Sequence, residues 1–145
     1  MDGEKVVLVL PEVAMNLSGK VAPAFVKSVP AAKKLMVIRD DLDLPAGVLK
    51  MTFGRGSGGH KGAESIMRAL KTKEFAQVKL GISGQTPKGK LKKPDDEEKV
   101  VNHVLGTFKP EEETKLKKVY AKTGDAIRAF IEGGPEHAMH VANTK

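Results

Sequence analysis

The stretch Gly54-Arg55-Gly56-Ser57-Gly58-Gly59-His60-Lys61-Gly62 packs five glycines into nine residues, and this run constrains the fold more than any other feature of the chain. Glycine loses the most conformational freedom on ordering, so the run reads as a loop, and its flanks set the architecture. Before it, Val48 to Phe53 reads as a strand. After it, Ala63 to Lys71 reads as a helix, and Gln77 to Ile82 as the next strand. A strand, a glycine loop, a helix and a strand in that order imply a layered α/β domain.

The rest of the chain extends the pattern. Lys5 to Leu10 (KVVLVL) is a β-branched apolar run ended by Pro11, and reads as a buried strand. Ser18 is placed to cap a helix running to about Ser28, with Val21, Ala24, Phe25 and Ser28 at helical spacing, and Pro23 counts against that helix unless it lies in a first turn. Leu35 to Ile38 reads as a strand, and Asp43-Leu44-Pro45-Ala46-Gly47 has turn chemistry. Residues 83–94 read as a polar loop carrying four lysines. The acids Asp95 to Glu98 then complement the positive end of a helix bearing Val100, Val101 and Val104. A longer helix is expected after Pro110, with Leu116, Val119, Tyr120, Thr123, Ile127, Phe130 and Ile131 on its buried face and an end at Gly133-Gly134. At 145 residues the whole chain, 1–145, fits one domain.

Composition narrows the partners. The net charge of +7 and a pI near 9.6 suit a polyanion. Aromatic residues are only 4%, which disfavours base stacking and favours phosphate contacts with a folded RNA. No apolar stretch is long enough for a membrane helix. The absence of cysteine removes disulfides, thiolate metal sites and cysteine nucleophiles, and is compatible with a reducing compartment.

Three constellations carry candidate chemistry. In Met15-Asn16-Leu17-Ser18-Gly19, Asn16 is either a ligand-binding loop residue or an ordinary turn residue beside a cap. In Arg39-Asp40-Asp41-Leu42-Asp43, three acids follow a strand, where they either do acid–base or orienting work or form a solvated turn. A metal site there lacks further oxygen ligands, so neither a metal nor another cofactor is expected. The glycine run satisfies G-x-G-x-x-G at Gly54, Gly56 and Gly59, but without the surrounding βαβ unit of a dinucleotide site. It delivers His60 to the start of a helix, where backbone N–H groups can meet an anion or a developing oxyanion.

Taken together these stretches resemble the bacterial-type peptidyl-tRNA hydrolase family. The resemblance rests on MNLSG at 15–19, RDDLDLPAG at 39–47, GRGSGGHKG at 54–62, KLGIS at 79–83 and VVNHVLGTF at 100–108, in order and at matching spacing across nearly the whole chain. It implies a single three-layer α/β domain with a twisted mixed sheet flanked by helices. It implies hydrolysis of the ester between peptide and tRNA, which recycles tRNA for translation. Asp40 would orient and polarise a catalytic histidine, Asn16 would contact the peptide or the attacking water, and His60 would help fix the substrate carbonyl or that water. The tRNA or substrate contacts would fall to Met15, Asn16, Lys50, Arg55, Lys61, Lys79 and the lysines of 88–93. The partner is then peptidyl-tRNA, with no membrane or metal involved. The setting is cytoplasmic, or mitochondrial or otherwise organellar in a eukaryote, and the chain a monomer able to self-associate through an exposed sheet edge.

The departures are equally specific. The family's G-L-G-N-P-G strand and its R-H-N segment with the general-base histidine are not found, so the fold is expected to be incomplete at its amino-terminal side and the isolated chain to have negligible activity. Arg39 stands where the family has histidine, Lys61 where it has asparagine, and Lys79 where it often has arginine. Arg39, Lys61 and the lysine-rich loop favour the alternative of a non-catalytic tRNA- or RNA-binding paralogue. A third possibility is a dinucleotide-binding domain, read from the glycine pattern alone.

Overall fold

A computed structural model of the chain describes residues 3–145. Its centre is a mixed sheet of four strands: β1 (Met36–Pro45), β2 (Leu49–Phe53), β3 (Ala76–Gln85) and the short β4 (Leu91–Lys92). The main order is β1-β3-β2, with β4 on β3. β3 runs parallel to β1 and antiparallel to β2, and it is buried along most of its length. The mixed α/β architecture expected from the alternating pattern is therefore present, with helices flanking the sheet.

β1 is longer than the Leu35–Ile38 strand expected, because its pairing with β3 continues through Asp41↔Gly81 and resumes at Pro45↔Ser83. Gly81 makes this possible: a Cβ there would lie 2.1 Å from the Pro45 carbonyl oxygen. The acids Asp40, Asp41 and Asp43 thus sit on a strand, and the turn is confined to Pro45–Val48. It closes through Val48 N–H donating to the Pro45 carbonyl at 3.0 Å, with Gly47 at φ +92°.

The helix α5 (Pro110–Asn143) lies against β2 and β3. Leu49, Met51, Ala76 and Val78 meet Val119, Ala126, Ala129, Ala138 and Ala142 in one core, and the alanines let the helix approach closely. The helix breaks at Gly133-Gly134 as expected, but a second helical stretch follows directly. Gly134 breaks the helical path with φ +75°, and Pro135 starts a second helical stretch that reaches Asn143. Tyr120 was expected on the buried face but is 57% exposed, because the stripe is centred on Leu116, Val119, Thr123 and Ala126 and turns residue 120 to its margin.

The amino-terminal side departs most from expectation. Residues 4–10 form no strand, and Leu8 and Leu10 are 86% and 89% exposed. An apolar run becomes a strand only when another strand meets its N–H and C=O groups, and among the described residues none lies alongside. The helix expected from Ser18 to Ser28 is instead a 3₁₀ helix (Met15–Lys20), followed by α1 (Ala22–Phe25) and α2 (Val29–Ala32). Pro23 lacks the N–H that a continuous helix would need, so it sits in the first turn of α1. Ser18 is no cap; its hydroxyl donates to the Met15 carbonyl at 2.8 Å. Ser28 caps α2 instead, accepting from Ala31 N–H at 3.2 Å.

α3 (Lys61–Leu70) follows the glycine loop as expected and packs on the 3₁₀ helix. Gly19 is the contact point: its N–H donates to Ser65 Oγ at 2.9 Å, and a Cβ would lie 2.1 Å from the Ser65 carbonyl oxygen. α4 (Glu97–Val104) starts at its acids, with Asp96 accepting from Lys99 N–H at 2.8 Å. Its valines are largely open to solvent; Val101 is 48% exposed and Val104 lines a cavity rim. Among the described residues no helix is long and apolar enough to cross a membrane.

Candidate active site

His60 and Asp40, twenty positions apart, meet at 3.0 Å between His60 Nε2 and Asp40 Oδ1. His60 is also the N-cap of α3, its Nδ1 accepting from Ala63 N–H at 3.1 Å. That second bond fixes the tautomer. An amide N–H can only donate, so Nδ1 carries the lone pair and Nε2 carries the proton given to Asp40. The hydrogen bond from His60 holds the Asp40 carboxyl below the usual carboxylate range, against the opposing effect of burial. Neutral His60 therefore has no nitrogen left to take a proton from water.

The loop that brings His60 here crosses the sheet in steps. Gln77 on β3 donates from Nε2 to the Arg55 carbonyl at 2.9 Å and the Gly56 carbonyl at 3.3 Å. Arg39 on β1 donates to the Ser57 carbonyl at 2.9 Å. A tight turn follows, with Gly58 and Gly59 at φ +60° and +83° and His60 N–H donating back to the Ser57 carbonyl at 3.2 Å. Two central residues at positive φ are what this mirror-image turn demands, and glycine supplies them without strain.

Arg39 is not the available surface cation that the RNA-binding alternative assumed. It is 7% exposed and donates to Gln77 Oε1 at 3.0 Å and the Asp40 carbonyl at 2.8 Å as well as to Ser57. Burial draws its guanidinium below the usual value, with Asp41, Asp40 and Asp43 opposing. A buried charge needs such partners, and Arg39 spends its donors inside the protein.

Lys50 and Lys79 stand opposite each other on β2 and β3, and Arg39 stands opposite Lys79 on β1. Directly paired residues share a sheet face, so three cations form one row. Burial, and then the Arg39 charge, lower the Lys79 pKa. Arg55 is exposed on the loop. Lys61, in the first turn of α3, forms an exposed ion pair with Glu97 at the start of α4. In the 88–93 segment Lys93 pairs with Asp43.

Asn16 lies on the exposed side of the 3₁₀ helix, beside a cavity of about 280 Å³ lined also by Leu17, Lys20, Ser65 and Arg68. Asp40 borders a different cavity, of about 230 Å³, with Leu80, Ile82, His103, Val104, Phe108, Leu116 and Tyr120. The link between the two sides is Met15. A Cβ on Gly62 would lie 2.5 Å from Met15 Sδ and 3.0 Å from His60 Cε1, so the segment before Asn16 covers the start of α3 next to His60. Among the described residues no three His, Asp or Glu side chains are grouped to hold a metal ion.

Two further residues support the site without standing in a chemical motif of their own. Gln77 is fully buried, and its signal was a long polar side chain within an otherwise apolar strand. His103 donates from Nε2 to the Ile82 carbonyl at 2.7 Å, which leaves its Nδ1 as a proton acceptor beside the Asp40 cavity. Only its place in the VVNHVLGTF stretch marked it.

Comparison with known proteins points to one family. The family described as Peptidyl-tRNA hydrolase matches across residues 1–145. A protein named peptidyl-tRNA hydrolase from Dehalococcoides mccartyi is 36% identical over 144 residues, covering 99% of this chain and 73% of the relative. One from Oceanobacillus iheyensis is 38% identical over 135 residues, covering 92% of this chain and 67% of the relative. The crystal structure of peptidyl-tRNA hydrolase from Acinetobacter baumannii superposes with a TM-score of 0.77 at 27% identity, covering 92% of this chain. The chain spans 64% of the length of that solved structure.

Proposed function

This chain belongs to the peptidyl-tRNA hydrolase family, and on that premise we propose that its chemistry is hydrolysis of the ester joining a peptide to tRNA, the reaction that returns tRNA to translation. The observation that carries this is the His60–Asp40 bond of 3.0 Å at the start of α3. The N–H groups of Lys61 and Gly62 fall in the first turn of α3, where a helix leaves donors open to a developing oxyanion. Asp40 acts as the orienting carboxylate, His60 holds it, and Met15 and Asn16 border the substrate. Lys50, Lys79, Arg55, Lys61 and the lysines of 88–93 supply the positive field for tRNA phosphates. The chain works as one domain, in the cytoplasm or an organelle, and as a monomer, the outer edge of β1 being its route to self-association.

Turnover by this chain alone is slow, because both nitrogens of His60 are engaged and the depressed Asp40 pKa makes it a poor base. That same observation favours a second reading, in which the chain binds tRNA without cleaving it. Incubation with N-acetylated aminoacyl-tRNA, following release of the blocked amino acid, separates the two. The first expects slow release that Asp40→Asn abolishes; the second expects salt-dependent binding with no release in either protein. A chain that neither binds nor cleaves would defeat both.

A further inference from the structure

We propose that Arg39, acting with Gln77, is a positioning residue that sets the geometry of the His60–Asp40 pair. The inference rests on reading that pair as the reaction site. Two segments must be held in register for the pair to form: the end of β1, which carries Asp40, and the glycine loop, which carries His60. Glycines leave the loop without packing of its own, so its path must be imposed by hydrogen bonds.

Arg39 bonds to both segments at once. Its guanidinium donates to the Asp40 carbonyl on one side and to the Ser57 carbonyl on the other. The Ser57 carbonyl is also the acceptor of His60 N–H, so one oxygen joins Arg39 to the backbone of His60. Gln77 completes the frame, accepting from Arg39 Nε and donating to the carbonyls of Arg55 and Gly56, which immediately precede Ser57. The result is a closed circuit running from Arg39 through Ser57 and His60 to Asp40 and back. The planar fork of arginine suits this arrangement, since three acceptors lie in three fixed directions. A lysine has one nitrogen on a flexible stem and cannot reach them together.

A buried arginine could collect such bonds merely to satisfy its charge, so the test must read His60 itself. Imidazole ¹⁵N–¹H spectra report the His60 Nε2–H proton, identified by its loss in His60→Gln. In the unaltered protein this proton exchanges slowly with solvent. Asp40→Asn weakens the acceptor and speeds exchange. Arg39→Lys keeps the charge, and its expected effect is exchange faster by about tenfold or more with amide protection in α5 unchanged. Gln77→Met leaves Arg39 its two carbonyl acceptors, frees the loop at Arg55 and Gly56, and is expected to shift the same signal in the same direction. If either variant, with α5 protection intact, keeps the original exchange rate, the positioning role is overturned. Should the unaltered protein show the slow proton and both variants lose it while no preparation hydrolyses or binds peptidyl-tRNA, the proposed function fails and the positioning role stands.

Discussion

His60 gives its Nε2 proton to Asp40 across 3.0 Å while its Nδ1 caps α3, so one side chain fixes both a carboxylate and a helix start. This double engagement has a consequence for acid stability. The folded Asp40 pKa is lowered by the His60 bond from an ordinary value of 3.8. A depressed carboxyl contributes stability that is fully present above its unfolded value and is lost as pH falls through its folded one. Asp40→Asn should therefore be less stable than the unaltered chain near neutral pH, with the gap closing as the pH drops below about 4. Urea unfolding across that range checks it; a gap independent of pH would show that the carboxylate charge plays no part.

The histidine with a free nitrogen beside the Asp40 cavity is His103, not His60. Slow hydrolysis by this chain is expected to fall by about 10²-fold in His103→Gln, the size of effect a general base contributes. Circular dichroism should show the helices retained. Equal rates in the two proteins would place the proton acceptor elsewhere.

Lys79 is held in a costly position. Burial and the facing Arg39 lower its folded pKa below the usual lysine value of 10.5. For a base this means the charged form is penalised in the fold, with the full penalty below the folded pKa and relief only as pH rises toward the unfolded one. Lys79→Met should raise the urea midpoint at pH 7 with the slope unchanged. The same change should weaken tRNA binding and reduce the slope of log affinity against log salt by about 1 if Lys79 meets a phosphate. A stabilised variant with undiminished binding would remove Lys79 from the tRNA surface.

What was legible in the sequence followed from local pattern. The glycine loop, α3, the acid-led start of α4 and the core strand β3 are each specified by residues close to one another, and the motif order singled out Asp40 and His60, which meet in the fold. What was hidden depended on long-range partners. Lys5 to Leu10 has strand composition, yet a strand needs a neighbour, and the sequence does not say where one lies. Arg39 read as a surface charge because its acceptors are backbone carbonyls at residues 40 and 57 and a glutamine at 77, none of which advertises itself. Gly134 marked a helix end correctly, but whether a second helix follows depended on Pro135 being at a first turn rather than within one.

The edge strand β2 is closed by a single side chain from the far end of α5. Asn143 Oδ1 accepts from Met51 N–H at 2.8 Å, and its Nδ2 donates to the Met51 carbonyl at 3.0 Å. Met51 is 1% exposed and faces Val78 in a pair whose backbone groups point away from β3, so without Asn143 an edge donor and acceptor would be left unmet next to the core. Removing one partner of buried hydrogen bonds exposes the full desolvation penalty of the groups left behind, about 1–3 kcal/mol. Asn143→Ala is expected to cost that much, and Asn143→Asp, which keeps an acceptor for Met51 N–H but sets a carboxylate against the Met51 carbonyl, at least as much. Thermal unfolding of the two variants measures the loss, and amide exchange at Met51 locates it. If Met51 N–H exchanges no faster in Asn143→Ala, water fills the gap and the clip is dispensable. If it exchanges at the rate of global unfolding in the unaltered chain and much faster in the variant, the last turn of α5 is part of the sheet's edge rather than an appendage to it.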